Sequence, residues 1–315
     1  MGRRILIGAV VPNGGPYAAK HGIAQMAKTL EAAGFDSLWC WDHVVLPTQI
    51  TSPRPTDLPP GYESLQDDND SFWGERAPTA ATSASWYDAI VVMSTIAAVT
   101  TSARLGTAVL LTPLRHPVVL AKQVAAIDAL SRGRVDLGVG IGWMREEFEI
   151  LDVPFASRVS RLEEGLVVMR ECWKGTTGGF KGQHFRLPVG ARCYPVPVGT
   201  VPILIGGNSK AAIRRAGRIG QGWLPSRRAA CLLLDTIREG VEQMRQAALE
   251  AGRDPEPLRC VLRISQSTGA AQHIATEWEG IKAAGVTEVM VDTNWDDLDD
   301  HARVCAVLRD ADAHT

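Results

Sequence analysis

An aspartate–histidine pair, Asp42-His43, directly follows the short apolar run Ser37 to Trp41. It is the only acid–histidine pair that stands at the end of a predicted strand. Histidine is the side chain best suited to proton transfer near neutral pH. The alternative is a histidine that a backbone carbonyl satisfies and that takes no part in chemistry. We hypothesise that His43 and Asp42 are catalytic.

Two glycine-rich turns follow later strands. Gly138 to Gly142 has the spacing GxGxG, not the GxGxxG of a dinucleotide-binding turn. It is either a tight turn, in which glycine permits a positive φ, or backbone that a flat ring approaches closely. Gly206-Gly207-Asn208-Ser209 joins an apolar strand to a helix, with Asn208 or Ser209 as the N-cap. Amides at such a helix start bind phosphate, and the alternative is a plain capped turn.

The second turn also nearly matches the GxSxG nucleophile motif of esterases, with Ser209 as the nucleophile. The final glycine of that motif is Ala211 here, and Asp292 and His301 would have to complete a triad. A hydrolase is therefore a minor alternative. The other histidines form no metal-ligand spacing and HExxH is absent, so we expect no catalytic metal.

The elements that position these residues are short β-branched runs that alternate with helical periods. Strands are predicted at 5–11, 37–41, 104–111, 135–139, 201–205, 223–224, 258–264 and 288–292, each followed by a helix. Such alternation requires a parallel sheet with helical crossovers, and eight units close a barrel. We therefore predict one α/β domain over 1–315, a (β/α)8 TIM barrel with insertions after strands 2, 4 and 7. A doubly wound sheet is the alternative.

Residues 46–87, rich in proline and aspartate, follow the second predicted strand. In a barrel this places them on the catalytic face. Connections of that length are usually functional or disordered. Because Trp73 and Trp86 need somewhere to pack, we favour a lid that shields the site from water, and the alternative is a disordered insertion.

Composition narrows the class of protein. The 315 residues are 45% hydrophobic with a net charge of −2, which offers no broad basic surface for nucleic acid. The six cysteines form no CxxC pair and are expected to be reduced thiols of a cytoplasmic protein. We find no apolar run long enough to cross a bilayer. A homodimer is the default expectation for the assembly.

Taken together, the motifs resemble the luciferase-like superfamily, and most closely its coenzyme F420-dependent oxidoreductases. The resemblance covers nearly the whole chain, and its order and spacing are specific. The carriers are Phe35-Asp36-Ser37-Leu38-Trp39 with Asp42-His43, Arg104-Leu105-Gly106-Thr107, Arg115-His116-Pro117, Leu130 to Arg134, Gly138 to Trp143, Phe148, Pro154-Phe155, Arg158 and Pro202 to Gly207.

The resemblance implies a barrel whose C-terminal mouth holds an isoalloxazine-like ring. Ala108-Val109, after Thr107, matches a bulge with a non-proline cis peptide that presses on the ring. Gly206, Gly207, Asn208 and Ser209 match the turn that holds the cofactor phosphate. Asp42 and His43, and on the facing turn Gly142 and Trp143, match positions near the ring. These are the cofactor-binding residues that the resemblance implies.

This chain departs from some relatives at Trp143, where they carry a glutamate that can donate a proton. Tryptophan cannot do so, which leaves His43 as the main candidate, with Glu146 or Glu147 as conceivable substitutes. The implied function is hydride transfer between F420 and a small organic substrate. The alternatives are a monooxygenase that uses reduced FMN and oxygen, and a flavin-binding barrel without catalysis.

Overall fold

The computed structural model describes residues 4–53 and 85–315. Within these ranges, buried strands and outer helices alternate along the chain, because each apolar β-branched run is followed by a segment with helical periodicity. The strands are parallel and lie side by side, and helices form the crossovers between them. The sequence prediction of an α/β architecture is confirmed.

Eight strand positions form the barrel, and two of them are divided. The strands are β1 (Leu6–Val10), β2 (Ser37–Cys40), β3 (Arg104–Thr107) with β4 (Leu110–Leu111), β5 (Val135–Gly140), β8 (Ile203–Gly206), β9 (Gly222–Leu224) with β10 (Ser226–Arg228), β11 (Arg259–Ser265) and β12 (Glu288–Val291). Parallel pairing runs β11-β12-β1-β2-β3-β5-β8-β9, and β9 pairs in turn with β11. The sheet is therefore closed, as predicted, and is not doubly wound.

The helices cover the outside of this barrel. They are α1 (Pro16–His21), α2 (Ile23–Ala32), α3 (Ala89–Val99), α4 (Pro117–Leu130), α5 (Arg145–Ile150), α6 (Arg158–Cys172), α7 (Lys210–Ile219), α8 (Leu234–Glu250), α9 (Ala271–Thr276), α10 (Trp278–Ala283) and α11 (Asp300–Ala313). Asp88 caps α3 by accepting hydrogen bonds from two amides of its first turn. None of the helices in the described ranges is both long and apolar enough to span a membrane.

The two divided strands differ from the sequence expectation of one run each. The third strand breaks at a cis peptide bond between Ala108 and Val109, the bond type expected there. The sixth breaks at Pro225, which has no N–H to donate to the ladder, and it continues beyond the predicted stub. Both breaks lie at the C-terminal ends of the strands, where the backbone leaves the barrel.

The inside of the barrel is built in layers, because every second residue of a strand faces inward. The layer at the N-terminal ends of the strands is ionic, with Asp136 and Glu288 fully buried against Arg104 and Arg259. The next layer is apolar and consists of Val10, Trp39, Leu204, Leu224, Val261 and Met290. Trp41, Ala108 and Val109 pack on this layer from the C-terminal mouth, so the mouth has a solid floor.

The connections carry the insertions. After the fourth barrel strand the chain forms α5, α6 and an antiparallel hairpin of β6 (Thr176–Lys181) and β7 (Arg186–Arg192), where a hairpin was predicted. The extension expected after strand seven consists of the loop 266–270 and a crossover divided into α9 and α10. Of the predicted lid, only 46–53 and 85–87 belong to the described residues, and Trp73 lies outside them.

Candidate active site

His43 forms a dyad with Glu147 at the mouth of the barrel. Its ring nitrogen Nδ1 lies 3.0 Å from Oε2 of Glu147, and both side chains are almost completely buried. The other carboxylate oxygen, Oε1, accepts a hydrogen bond of 2.6 Å from the amide of Val44. An ionised carboxylate only accepts, so an ionised Glu147 pairs with the Nδ1–H tautomer of His43, and Nε2 is the ring nitrogen outside this pair. The dyad fixes both the orientation and the tautomer of His43.

The ring of His43 is also packed from the side. Trp86 meets it edge to face with ring centroids 5.2 Å apart, so this tryptophan of the predicted lid does pack on the mouth. Asn13, which the sequence reasoning missed, is fully buried below and binds both backbone groups of Trp41. Its amide also donates to the carbonyl of Tyr87. Asn13 thus joins the start and the end of the second connection. Its position after β1 was the sequence feature that could have identified it.

Asp42 is engaged by Arg115 through both of its carboxylate oxygens. The two guanidinium nitrogens lie 2.5 and 2.8 Å from the two carboxylate oxygens, and the amide of Leu111 donates to the same group at 2.8 Å. Burial raises the pKa of the Asp42 carboxyl, and Arg115 opposes that shift. Asp42 therefore ties the end of β2 to β4. The geometry favours a positioning role, and its direct part in catalysis stays a prediction.

The two glutamates after Trp143 have different partners. Glu147 holds His43, whereas Glu146 accepts hydrogen bonds from the amides and hydroxyls of Thr51 and Ser52. Burial alone would raise the pKa of Glu146, but these hydrogen bonds outweigh it and lower the pKa to about 2. Glu146 is therefore an anchor for the segment at 51–52. Both carboxylates are thus engaged as hydrogen-bond acceptors, and a proton-donor role for either glutamate stays a prediction.

The end of the third strand forms a bulge that presses into the mouth. Thr107 is buried and donates to the carbonyl of Gly138 at 2.7 Å, so its hydroxyl is used within the barrel. Val109, after the cis peptide, fills the space beside Gly140 and Gly206, where an added Cβ would lie only 2.4 and 2.5 Å from its methyl groups. These glycines are therefore required by a neighbouring side chain, which the sequence reasoning did not foresee.

Gly142 and Trp143 complete this half of the mouth. Gly142 has a φ of 78°, and an added Cβ would lie 2.7 Å from the ring of Phe148. The GxGxG run thus contains a tight turn at Gly142 and a close contact between strands at Gly140. Of the two interpretations of this motif, the structure supports the tight turn in which glycine permits a positive φ. Whether a ring also approaches this backbone stays a prediction.

The turn after β8 is partly exposed at the start of α7, and the amide of Gly207 donates to the carbonyl of Leu224. Gly207 has a φ of 117° and is exposed, like Ser209. Ser209 is the N-cap of α7 and accepts a hydrogen bond from the amide of Ala212 at 3.2 Å. Asn208 instead links the turn to the next strand through both backbone groups of Ser226. The sequence left the cap open between Asn208 and Ser209, and the structure selects Ser209.

A pair of like charges, Arg145 and Arg158, lies on the neighbouring connection. Their guanidinium carbons are 4.5 and 3.9 Å from the ring centre of Phe155. Burial and then the charge of Arg145 lower the pKa of Arg158. No carboxylate of the described ranges forms a salt bridge with either arginine, so the pair can attract an anion. Arg158 was noted only as part of a motif, and spacing alone gave no sign of the stack.

The residues of the hydrolase alternative do not form a triad. The hydroxyl of Ser209 caps α7, and the carboxylate of Asp292 lies 2.6 Å from Arg263. Within the described part of the chain, neither ring nitrogen of His301 has a hydrogen-bond partner. The nucleophile, base and acid that an esterase needs are therefore not connected.

Comparison with known proteins gives the class of this barrel. Residues 5–279 match the luciferase-like monooxygenase family, and the chain belongs to this family of enzymes. In overall fold it is similar to an F420-dependent secondary alcohol dehydrogenase in complex with an F420-acetone adduct, with a TM-score of 0.74 and 19% identity over 97% of this chain and 99% of that one.

Curated relatives are closer in sequence. An F420-dependent glucose-6-phosphate dehydrogenase of Nocardia farcinica is 33% identical over 211 residues, which cover 65% of this chain and 60% of the relative. An uncharacterized protein of Mycobacterium tuberculosis is 33% identical over 199 residues, or 63% of each chain. The chain thus spans about three fifths of the length of these curated relatives.

Proposed function

We propose that this protein is an oxidoreductase that transfers a hydride between the deazaflavin coenzyme F420 and a small organic substrate. The observation that carries the proposal is the His43–Glu147 dyad, which presents a proton-transfer group at the mouth of a luciferase-like barrel. The F420-dependent relatives support the choice of cofactor. When bound, this cofactor would supply or accept the hydride.

The residues present fit such a group. Trp41, Ala108 and Val109 offer a half-buried apolar floor for a flat ring. The exposed turn Gly207 to Ser209, at the start of the ten-residue helix α7, would hold a phosphate. His43 would bind beside the ring and exchange the proton that must accompany the hydride, through Nε2. Glu147 would keep Nδ1 protonated and the imidazole in place.

A monooxygenase that uses reduced FMN and oxygen is the second candidate, and one observation favours it. Arg145 and Arg158 stack beside the same mouth, and two guanidinium groups suit the doubly charged phosphate of FMN better than a phosphodiester. The description of the family supports this reading too.

Cofactor affinity separates the two candidates. The purified chain is titrated with F420 and with FMN, and the fluorescence of each cofactor reports binding. Submicromolar binding of F420 with much weaker binding of FMN is the expected result. Tight binding of FMN alone would replace the proposal with the monooxygenase, and binding of neither would refute both.

Substitution of His43 tests the proposed proton transfer. His43→Ala should lower kcat by about 10²-fold or more, because a general acid or base contributes that much, and should change cofactor affinity only a few-fold. His184→Ala is the matched control, because His184 lies in the turn of the outer hairpin and binds Ser160 of α6. An unchanged kcat in His43→Ala, or an equal loss in both variants, would refute the role of His43.

A further inference from the structure

Two ion pairs join strands β11 and β12 inside the barrel, one at each end. Arg259 binds Glu288 at the N-terminal ends, with Nη2 and Oε2 2.7 Å apart. Arg263 binds Asp292 at the C-terminal ends, with Nη2 and Oδ1 2.6 Å apart. In barrels of this class the N-terminal end serves stability and the C-terminal end serves function. The two pairs have the same chemistry, an arginine bound to a carboxylate. They differ in position, because one lies at the N-terminal end of the barrel and the other at the C-terminal end.

The alternation of side chains places the second pair at the mouth. Arg259, Val261 and Arg263 are spaced by two residues along β11, as are Glu288, Met290 and Asp292 along β12 and just beyond it. Val261 and Met290 belong to the inner apolar layer. Arg263 and Asp292 are therefore the next layer, which forms the floor of the mouth on this side.

Neighbouring groups form hydrogen bonds with the Arg263–Asp292 pair but leave part of it exposed. Nη1 of Arg263 donates to the carbonyl of Ile264, and the amide of Asp292 donates to the hydroxyl of Ser267 at 2.6 Å. The side chain of Asp292 remains 21% exposed. Arg227, on the adjacent strand, donates instead to Thr236 of α8. The side chain of Arg263 is only 10% exposed, and Oδ2 of Asp292 also accepts a long hydrogen bond of 3.4 Å from the amide of Ser267. Arg263 uses two of its five N–H donors in the bonds named above, so the pair still holds a spare donor beside a partly exposed acceptor.

Such a pair discriminates by charge. A hydroxyl, carbonyl or carboxamide can accept from Arg263, and those with an N–H or O–H can also donate to Asp292. A carboxylate or phosphate would gain from Arg263 but would face the like charge of Asp292, which costs binding energy.

We propose that Arg263 and Asp292 anchor a neutral hydrogen-bonding group of the substrate and exclude anionic ones. The inference rests on the proposed function, in which the cofactor-binding residues lie at the ends of β2 to β8, and it assigns the substrate to the remaining strand ends. The substrate class is a molecule with an uncharged polar head at the Arg263–Asp292 pair.

Benzamide and benzoate are matched probes, because they share shape and differ in charge. Their dissociation constants are measured by calorimetry on the full chain, with and without bound cofactor. The wild type should bind benzamide more tightly. Asp292→Asn should shift the affinity ratio toward benzoate by about tenfold or more, because it leaves the charge of Arg263 unopposed. Arg263→Gln should weaken both probes.

Glu288→Gln is the control, because it neutralises the matching carboxylate on the same strand at the other end of the barrel. It should change thermal stability and leave the affinity ratio within twofold. An unchanged ratio in Asp292→Asn, a wild type that prefers benzoate, or a wild type that binds neither probe would overturn the proposal. Cofactor binding, measured separately, shows whether the proposed function itself has failed.

Discussion

His43 and Glu147 are 104 residues apart in the chain and meet over 3.0 Å at the mouth of the barrel. Each follows a different strand, and the barrel brings the two connections together. The sequence identified His43 from its place after a strand, but it offered Glu147 only as a substitute proton donor. The structure instead makes Glu147 the group that orients the histidine. At the scale of single residues, the site is thus a histidine with a fixed tautomer.

Glu147→Gln should lower kcat by at least about tenfold with little change in KM, because an amide does not fix the tautomer of His43 as a carboxylate does. Glu146→Gln is its neighbour and should act on KM instead, because Glu146 anchors Thr51 and Ser52. Steady-state kinetics with the bound cofactor separate the two effects. Equal changes in both variants would argue for a merely structural Glu147.

The first turn of α11 carries a buried histidine that packs against the preceding connection. His301 is 1% exposed and packs on Trp295 with ring centroids 4.4 Å apart. Asp297 and Asp300 oppose the effect of burial on its pKa, while His21 adds to it. Burial dominates and lowers the pKa of His301, so the folded protein binds this proton less readily than the unfolded chain does.

This burial predicts a loss of stability in mild acid. The unfolded chain binds the proton at the usual pKa of 6.5, and the folded chain binds it only at lower pH. Stability should therefore be full above pH 6.5 and fall as the pH drops toward the lowered value. His301→Phe should make this decline shallower, as denaturant unfolding at a series of pH values would show. An identical pH dependence in the variant would mean that His301 does not titrate in this range.

At the scale of the whole molecule, the ionic layer at the N-terminal ends closes the barrel from below. Asp136 is buried and binds both Arg104 and Arg259, so it links three strand positions. Although burial opposes them, the two arginines lower the pKa of Asp136. Its contribution to stability is therefore complete above its unfolded pKa of 3.8 and is lost as the pH falls below that value.

Asp136→Asn should lower the free energy of unfolding by about 3 kcal/mol at neutral pH, because it leaves the partly buried Arg104 without a carboxylate and Arg259 with Glu288 alone. The variant should also show a weaker further loss in acid. Urea unfolding measures the first effect, and cofactor affinity should be unchanged because the site lies at the opposite end. Weakened cofactor binding in a fully folded variant would contradict this separation of the two ends.

Much of this architecture follows from the chain itself. The alternation of β-branched runs with helical periods predicts eight strands and the order of the crossovers. This is possible because a strand buries one face of a sheet and a helix buries one stripe of its surface, and each leaves its own periodicity in the sequence. The positions of His43 and Ser209 after strands place them at the mouth. Helix divisions such as that between α9 and α10 were missed, because local capping does not show in the apolar pattern.

Tertiary structure alone decided the partners. The pairs are Arg115 with Asp42, Glu147 with His43, and Arg263 with Asp292. Each joins separate segments of the chain, and no spacing along the sequence encodes these contacts. The closure of the barrel determines which strand ends are neighbours. It therefore determines which side chains are close enough to form ion pairs or hydrogen bonds with one another. The sequence determined which residues lie at the C-terminal mouth of the barrel. The closed barrel determined which of them orient the candidate catalytic histidine and which connect neighbouring strands.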